Sequence, residues 1–458
     1  MFTKAEKHTV LAASCLAIFV NPLAGSMLNL ALSAIQLDFG CSEHQLGWVA
    51  SIYFIVSVIC LLPAAKIADI FGKKVVFLTG AVIALAGVIL SMTATDIYTL
   101  YVYRGVTGVG MAAISATSVS MISDVYEPHE RGLALAINTA CVYVGASIGP
   151  TLGGVLTEFA GWRNIFLILV PFLILALFFM FRFKHNIKST PDSHFDFIGT
   201  VVYAVGIGVL MFGIISLPAV HGIAMIIGGT VVLIGFIFIE SKESNPIMRL
   251  ELFRNTRFYR SMLALFLNYA ASYGMTFFMS RYLQEIGALS PTEAGVILMA
   301  QSVVQVVFTL WAGKIVTSMD MRILPTIGML VSCVGLIMLM FMTETLNIPL
   351  IVAALMVMGA GLGMFSSPNV TAIMSYVKKE QYNNTSGLIA TVRQFGMMMS
   401  MGIATCLIAV FLGTETKLDP SNFGIFMDIL MYAWWIWLVF CLVGAIFSWF
   451  RGPSYTEE

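Results

Sequence analysis

Charge is scarce in this chain. Asp, Glu, Lys and Arg make up only 10% of its residues, against about 25% in soluble domains. With 59% hydrophobic residues and a mean hydropathy of +0.92, it has more apolar surface than a water-facing fold can hide. The bilayer is therefore its solvent. Formal net charge is zero, which argues against nucleic-acid binding and polybasic surface attachment. The cysteines form no C-x-x-C pair, and Cys15, Cys60, Cys141, Cys333, Cys406 and Cys441 fall inside apolar runs, so they read as small hydrophobes rather than a disulfide framework. No H-E-x-x-H, no G-x-S-x-G and no paired intramembrane acids occur, so an enzyme is not expected. A channel would need a repeated filter motif or a ring of charges, and neither is there. No metal or cofactor is expected.

What the chain has in abundance is apolar runs of spanning length. Fourteen can be read, from 9–33 at the start to 426–449 at the end. The first is not followed by a small-residue cleavage site and a soluble domain, so it reads as a span rather than a signal peptide. With the N-terminus in the cytoplasm and the runs alternating, the outer side receives only Arg163, Lys417 and Arg281 of the 24 basic residues. Arg104 and Arg393 stay within spans, and all the others fall inside. The positive-inside rule thus predicts both termini cytoplasmic. The longest inside loops, about 182–196 and 241–259, bracket two runs at 197–217 and 222–240. Without that pair, six runs precede and six follow. The expected organisation is an N-terminal six-helix bundle over 1–190, a central two-helix insertion over 191–259 and a C-terminal six-helix bundle over 260–458.

Within the fifth run, Gly145, Gly149 and Gly153 recur every four residues and share one helix face, with Gly154 beside it. Such a bare face lets a neighbouring helix approach closely. Pro150 removes a backbone donor in the middle of it. The full string, Gly145-Ala-Ser-Ile-Gly-Pro-Thr-Leu-Gly-Gly154, resembles the antiporter signature G-x-x-x-G-P-x-x-G-G of the major facilitator superfamily. The loop Ala65-Lys-Ile-Ala-Asp-Ile-Phe-Gly-Lys-Lys74 resembles that superfamily's G-x-x-x-D-R-x-G-R-K/R loop, matching at Asp69, Gly72, Lys73 and Lys74. Ala65 and Ile70 depart from it. A weaker echo, Gly313 through Thr317 to Arg322, lies in the second half.

The six-plus-two-plus-six plan resembles the fourteen-span drug:proton antiporter branch over nearly the whole chain. The resemblance implies an all-α integral membrane protein of the major facilitator fold. It implies a hinge or seal at Gly145, Gly149, Pro150, Gly153 and Gly154, and a charge latch at Asp69, Gly72, Lys73 and Lys74. Arg104, in Arg104-Gly-Val-Thr-Gly108, resembles the fourth-span R-x-x-x-G motif, and Arg393-Gln-Phe-Gly396 resembles the branch's R-Q-x-G string. Trp162 and Arg163 resemble the string opening the sixth span and are expected at the interface. Ser290 is expected to cap the tenth span with Pro291 at its first position.

Acid is the informative absence within the spans. Every Asp and Glu lies in a loop or within about two turns of a span end. In the branch an aspartate usually precedes the asparagine of the V-N-V-A-L-P string by five residues. Here Asn29 is kept, but that position is Ala24 and Ser33 replaces the proline. Asp38, Asp124, Glu158, Asp196, Glu240 and Glu285 remain as displaced carboxylates, with Asp124 and Glu158 foremost. Polar residues expected in the cavity include Asn29, Asn138, Tyr143, Tyr273, Gln301 and Gln305, with Tyr53 and Asn369 besides. Phe277, Phe278, Met397, Met398 and Met399 are expected to form an adaptable wall. Together these readings anticipate a plasma-membrane secondary transporter, acting as a monomer by alternating access. Its partners would be a small-molecule substrate, the lipid bilayer and a proton, its activity the efflux of amphipathic drugs. Movement of an endogenous metabolite or lipid without classical proton coupling is the alternative, and Arg104 and Arg393 would suit an anion.

Overall fold

Helices account for nearly all of the chain because lipid offers the backbone no hydrogen-bond partners. The computed structural model describes residues 2–188, 196–243, 246–316, 319–377 and 381–452, without the side chains of 128, 129, 131–133, 136 and 382–384. Thr317, Lys378, Lys379 and the Arg131 side chain lie outside what is described. The helices are α1 (Lys4–Phe39), α2 (Glu43–Phe71), α3 (Lys73–Met92), α4 (Ile97–Val125), α5 (Pro128–Phe159) and α6 (Asn164–Arg182). They continue as α7 (Phe197–Ile215), α8 (Val220–Glu240), α9 (Thr256–Ile286), α10 (Pro291–Ile315) and α11 (Ile323–Leu339). The last three are α12 (Ile348–Ser375), α13 (Tyr382–Phe411) and α14 (Phe423–Phe450). Among the described residues 13 helices are long and apolar enough to cross a membrane, and α11, with 17 residues, is shorter.

Helix starts follow local chemistry. Thr3 with Glu6, Ser42 with Gln45, Asp96 with Thr99 and Ser290 with Glu293 form capping boxes. Ser290 caps α10 and Pro291 takes its first turn, as the sequence predicts. One helix is less regular than its apolar run suggests: α9 is interrupted at Ala271–Ser272 and ends in a π turn over Tyr282–Ile286.

Two sets of helices form. In the first, α1 packs on α5 and α6, and α4 packs between α2 and α3. In the second, α12 packs between α10 and α11, and α14 joins α9 and α11. The sets meet chiefly where α5 faces α10 and α2 faces α13. The pair α7–α8 is closely packed through Gly206, Gly213, Gly222 and Gly229. Its α7 lies against α2 and α13, one helix from each set. Tyr203 Oη donates to Val58 O at 3.1 Å, and Phe212 packs on Trp48 with ring centroids 5.7 Å apart. The outer helix α8 turns Ile223, Ile227, Val231, Ile234 and Phe238 outward.

The end holding both chain termini is called the terminal end below and the opposite one the distal end. At the terminal end the first set is tied by Lys7 to Glu130 at 2.6 Å and the second by Arg451 to Asn369 at 2.7 Å. Asn369, expected in the cavity, is instead a tie: it also donates to Ser261 O at 3.1 Å. Burial draws the Arg451 guanidinium down to about 10. Phe277 and Phe278, expected in a wall, are fully buried, and Phe278 packs on Phe426, Trp434 and Trp437 inside the second set. Trp162 and Arg163 both reach Asp38 of α1, at 3.1 and 2.6 Å, and Arg163 also bonds Ala94 O at 2.9 Å. They pin α1 and the α3–α4 turn.

Candidate functional site

Midway along the bundle, polar and aromatic side chains from both sets converge. Arg104 of α4 is 2% exposed. Its Nε donates to Val49 O over a long 3.4 Å, and its guanidinium lies 5.0 Å from the centroid of the Tyr53 ring. Tyr53 Oη donates to Asn21 Oδ1 at 2.7 Å. Its ring meets Phe54, which packs edge-on against Tyr273 of the second set at 4.9 Å. Arg393 of α13 is half-buried, within electrostatic reach of Tyr53 and Tyr143. Tyr143 of α5 lies among Tyr269, Thr309, Ser366 and Arg393. Of the expected lining, then, the structure brings together Arg104, Arg393, Tyr53, Tyr143 and Tyr273. Thr309 and Ser366 join it unannounced.

Other expected residues have different neighbours. Asn29 is 2% exposed, and its backbone oxygen accepts from Ser280 Oγ at 2.6 Å. Asn138 faces Cys15 at 3.9 Å. Gln301 is buried and Gln305 half-buried on the face of α10 where the helix backbone meets Gly359 and Gly363 of α12. Of the methionines, Met398 is buried while Met397 and Met399 are half-buried.

The glycine string divides its work. Cβ atoms added at Gly145, Gly149 and Gly153 would strike Phe19, Ser26 and Met27 of α1, within the same set. A Cβ at Gly154 would strike the Pro291 carbonyl of α10, and one at Gly295 would strike that of Pro150. The Pro150–Gly154 end faces the other set. Ser147 Oγ donates to Ser302 O at 3.2 Å, and Glu158 accepts from the Thr292 N–H at 3.1 Å, along the same α5–α10 seam.

A further bridge was not read from the sequence. Arg281 of α9 and Glu43 of α2 are both fully buried and ion-paired. Arg281 Nε donates to Glu43 Oε2 at 3.0 Å, Nη1 to Ser33 Oγ at 2.6 Å and to Glu285 at 2.9 Å, and Nη2 to Gln36 Oε1 at 2.5 Å. Gln36 Nε2 donates to Glu43 Oε1 at 2.7 Å. The sequence gives little signal for it, because Arg281 stands at the outer end of its apolar run, where a charge reads as facing water. Each bridge between the sets named so far lies in the middle of the bundle or at its distal end.

At the terminal end the predicted latch is bound within the first set. Lys73, 1% exposed, pairs with Asp124 of α4. Lys74 lies 5.8 Å from the Phe181 ring centroid. Gly72 has φ +109°, which favours glycine, and Asn186 closes over it by donating to Phe71 O at 2.9 Å. Asp69 is half-buried and makes no ion pair among the described residues.

Residues 14–401 match the family model described as Major Facilitator Superfamily. The chain belongs to that superfamily. It is a multi-pass membrane transporter and not an enzyme. Among curated members of the superfamily, Multidrug resistance protein Stp of Mycobacterium tuberculosis is 29% identical over 416 residues, 90% of this chain and 77% of that protein. Riboflavin transporter RibZ of Clostridioides difficile is 25% identical over 97% of both chains. Among solved structures, a bacterial homologue of the human lysosomal transporter Spinster, inward-facing and unoccupied, superposes with a TM-score of 0.72 at 16% identity over 98% of both chains. At that identity the likeness concerns the fold alone.

Proposed function

We propose that this protein is a secondary active exporter of amphipathic small molecules, working by alternating access between two six-helix bundles. The observation that carries the reading is the one-sided clasp. Two helix sets enclose a polar, aromatic centre and are bridged at the distal end by Arg281–Glu43 and the α5–α10 seam. A rocking of one set against the other would break those bridges and form contacts at the opposite end.

Placing the chain in the membrane follows the basic residues. They gather at the terminal end, so that end is cytoplasmic and the protein is loaded from inside. The plasma membrane is the proposed site. All fourteen helices span in this reading, α11 included. Residues 1–190 and 260–458 are the two moving bundles, and 191–259 supplies the α7–α8 hairpin resting on both. The relative named for multidrug resistance supports an amphipathic, drug-like substrate.

Proton coupling is part of the proposal and must use a displaced carboxylate, since Ala24 holds the usual position. Asp124 and Glu158 remain candidates, and Glu43 joins them because opening the clasp would expose it to water. Asp69 would take up its latch contact only when the cytoplasmic end closes. A second reading has a specific support: no carboxylate has been placed in the central site, and one full-length relative is named for riboflavin. An endogenous metabolite moved without protons is that reading.

Purified protein in proteoliposomes with an internal pH-sensitive dye separates these. Saturable, substrate-driven proton movement supports drug:proton antiport. Saturable transport without a pH change supports the second reading. Absence of any saturable flux overturns both.

A further inference from the structure

The central site holds cationic charge that the protein does not neutralise. Arg104 is 2% exposed, yet among the described residues its one hydrogen bond runs from Nε to Val49 O. Its two terminal nitrogens have no acceptor among the described residues. An arginine does not shed its proton to relieve this. Among the described residues, the ionisable side chains that face it are the phenols of Tyr53 and Tyr273. Arg393 enters from the opposite set with no hydrogen bond or ion pair among the described residues, and it acts on the same Tyr53 hydroxyl.

The candidate carboxylates near the span ends, and Glu43, are engaged elsewhere. Asp124 pairs with Lys73, Glu43 and Glu285 pair with Arg281, and Asp38 pairs with Arg163. Glu158 binds the start of α10. Asp196 binds the Gly199 N–H and Glu240 the Met248 N–H, at the ends of α7 and α8. A buried guanidinium without a counter-charge is costly, and the cost is removed by an anion that enters with the substrate.

We propose that the central site binds an organic acid: an oxyanion head, carboxylate or phosphate, seated between Arg104 and Arg393, on an apolar body lying along Tyr143, Tyr273 and Met397. This rests on the transporter reading and specifies its substrate. Paired oxyanion oxygens, of a carboxylate or a phosphate, suit the forked N–H groups of arginine. Because one arginine belongs to each helix set, the anion draws the two sets together across the cavity, the differential contact that a transported ligand must make. A cationic amphiphile meets two like charges there and is excluded.

Binding is tested by calorimetry on the full chain in detergent, with N-octanoylglycine, its methyl ester and octyltrimethylammonium as probes. The acid should bind about tenfold or more tightly than either neutral or cationic probe. Arg104→Gln and Arg393→Gln should each weaken the acid by about tenfold or more and leave the ester unchanged, while Arg104→Lys should retain part of the acid's advantage. Thermal melting of each variant shows that it is folded, and two variants on different helices guard against loss of one. Equal affinity for acid and ester overturns the proposal, as does no acid binding or acid binding indifferent to both substitutions. The same preparation in liposomes keeps the two readings apart. Flux of the ammonium or ester without acid binding upholds the transporter and overturns the anion site, whereas acid binding without any flux upholds the site and overturns export.

Discussion

Arg281 and Glu43 sit 238 positions apart in the chain and form an ion pair with neither side chain exposed. Burial on this scale removes water from both charges, so their worth depends on each being answered. Arg281 is answered by Glu43, Glu285, Ser33 and Gln36. Glu285 is 27% exposed, so Arg281 keeps one counter-charge even when Glu43 lets go.

Removing one partner should therefore be worse than removing both. Glu43→Ala should destabilise the closed form by up to about 3 kcal/mol, because it leaves the buried Arg281 with the part-exposed Glu285 as its one carboxylate. The double change Glu43→Leu with Arg281→Met should recover much of that loss in the melting temperature. It should still impair transport, because the distal end then closes without its polar register. A double variant as unstable as the single one would show that packing, not charge, holds this end.

The α5–α10 seam makes a sharper steric prediction. Gly154→Leu and Gly295→Leu place side chains against the carbonyls of Pro291 and Pro150. Each should sharply reduce flux while leaving membrane insertion intact. Gly228→Ala and Gly235→Ala, whose added Cβ atoms meet nothing within 4 Å, should leave flux unchanged. Equal effects in both groups would remove the seam from the mechanism.

At the terminal end, Asp124→Asn should leave the buried Lys73 ammonium poorly answered and cost about 3 kcal/mol in stability. Lys73→Met with Asp124→Leu should restore most of it. If Asp124→Asn melts like the parent but loses proton movement, Asp124 is a coupling group rather than a structural partner.

Arg104→Gln offers a prediction of opposite sign. It removes an unpaired buried charge, so the unliganded variant should melt higher than the parent. Stabilisation by N-octanoylglycine should vanish at the same time. A lower melting temperature would mean that the Tyr53 ring and Val49 carbonyl already satisfy the guanidinium.

Much of this was legible in the sequence because lipid imposes strict rules. Apolar length marks the helices, the basic residues suggest an orientation, and Ser290-Pro291 marks a helix start. Arg104 and Arg393 could be singled out because charge inside an apolar run always asks for a reason. Glu43 could not, because an acid at the first position of a helix reads as a solvated cap. Its burial comes from α9, far along the chain. Phe278 and Asn369 were misplaced for a related reason: helical periodicity in a membrane does not tell the lumen-facing side from the helix-facing side. The glycine face of α5 was read correctly as a close-packing surface. The face does not name its partner: Gly145, Gly149 and Gly153 seat α1, and of these glycines it is Gly154 that meets the other set.

Alternating access is tested most directly by distance. Spin labels at the exposed Thr95 and Thr345 report the distal end, and labels at Lys184 and Ser375 report the terminal end. Transported substrate or a pH gradient should lengthen the first distance as it shortens the second, and Glu43→Gln should move the unliganded protein in the same direction. Two distances that stay fixed, or that change together, would contradict the account.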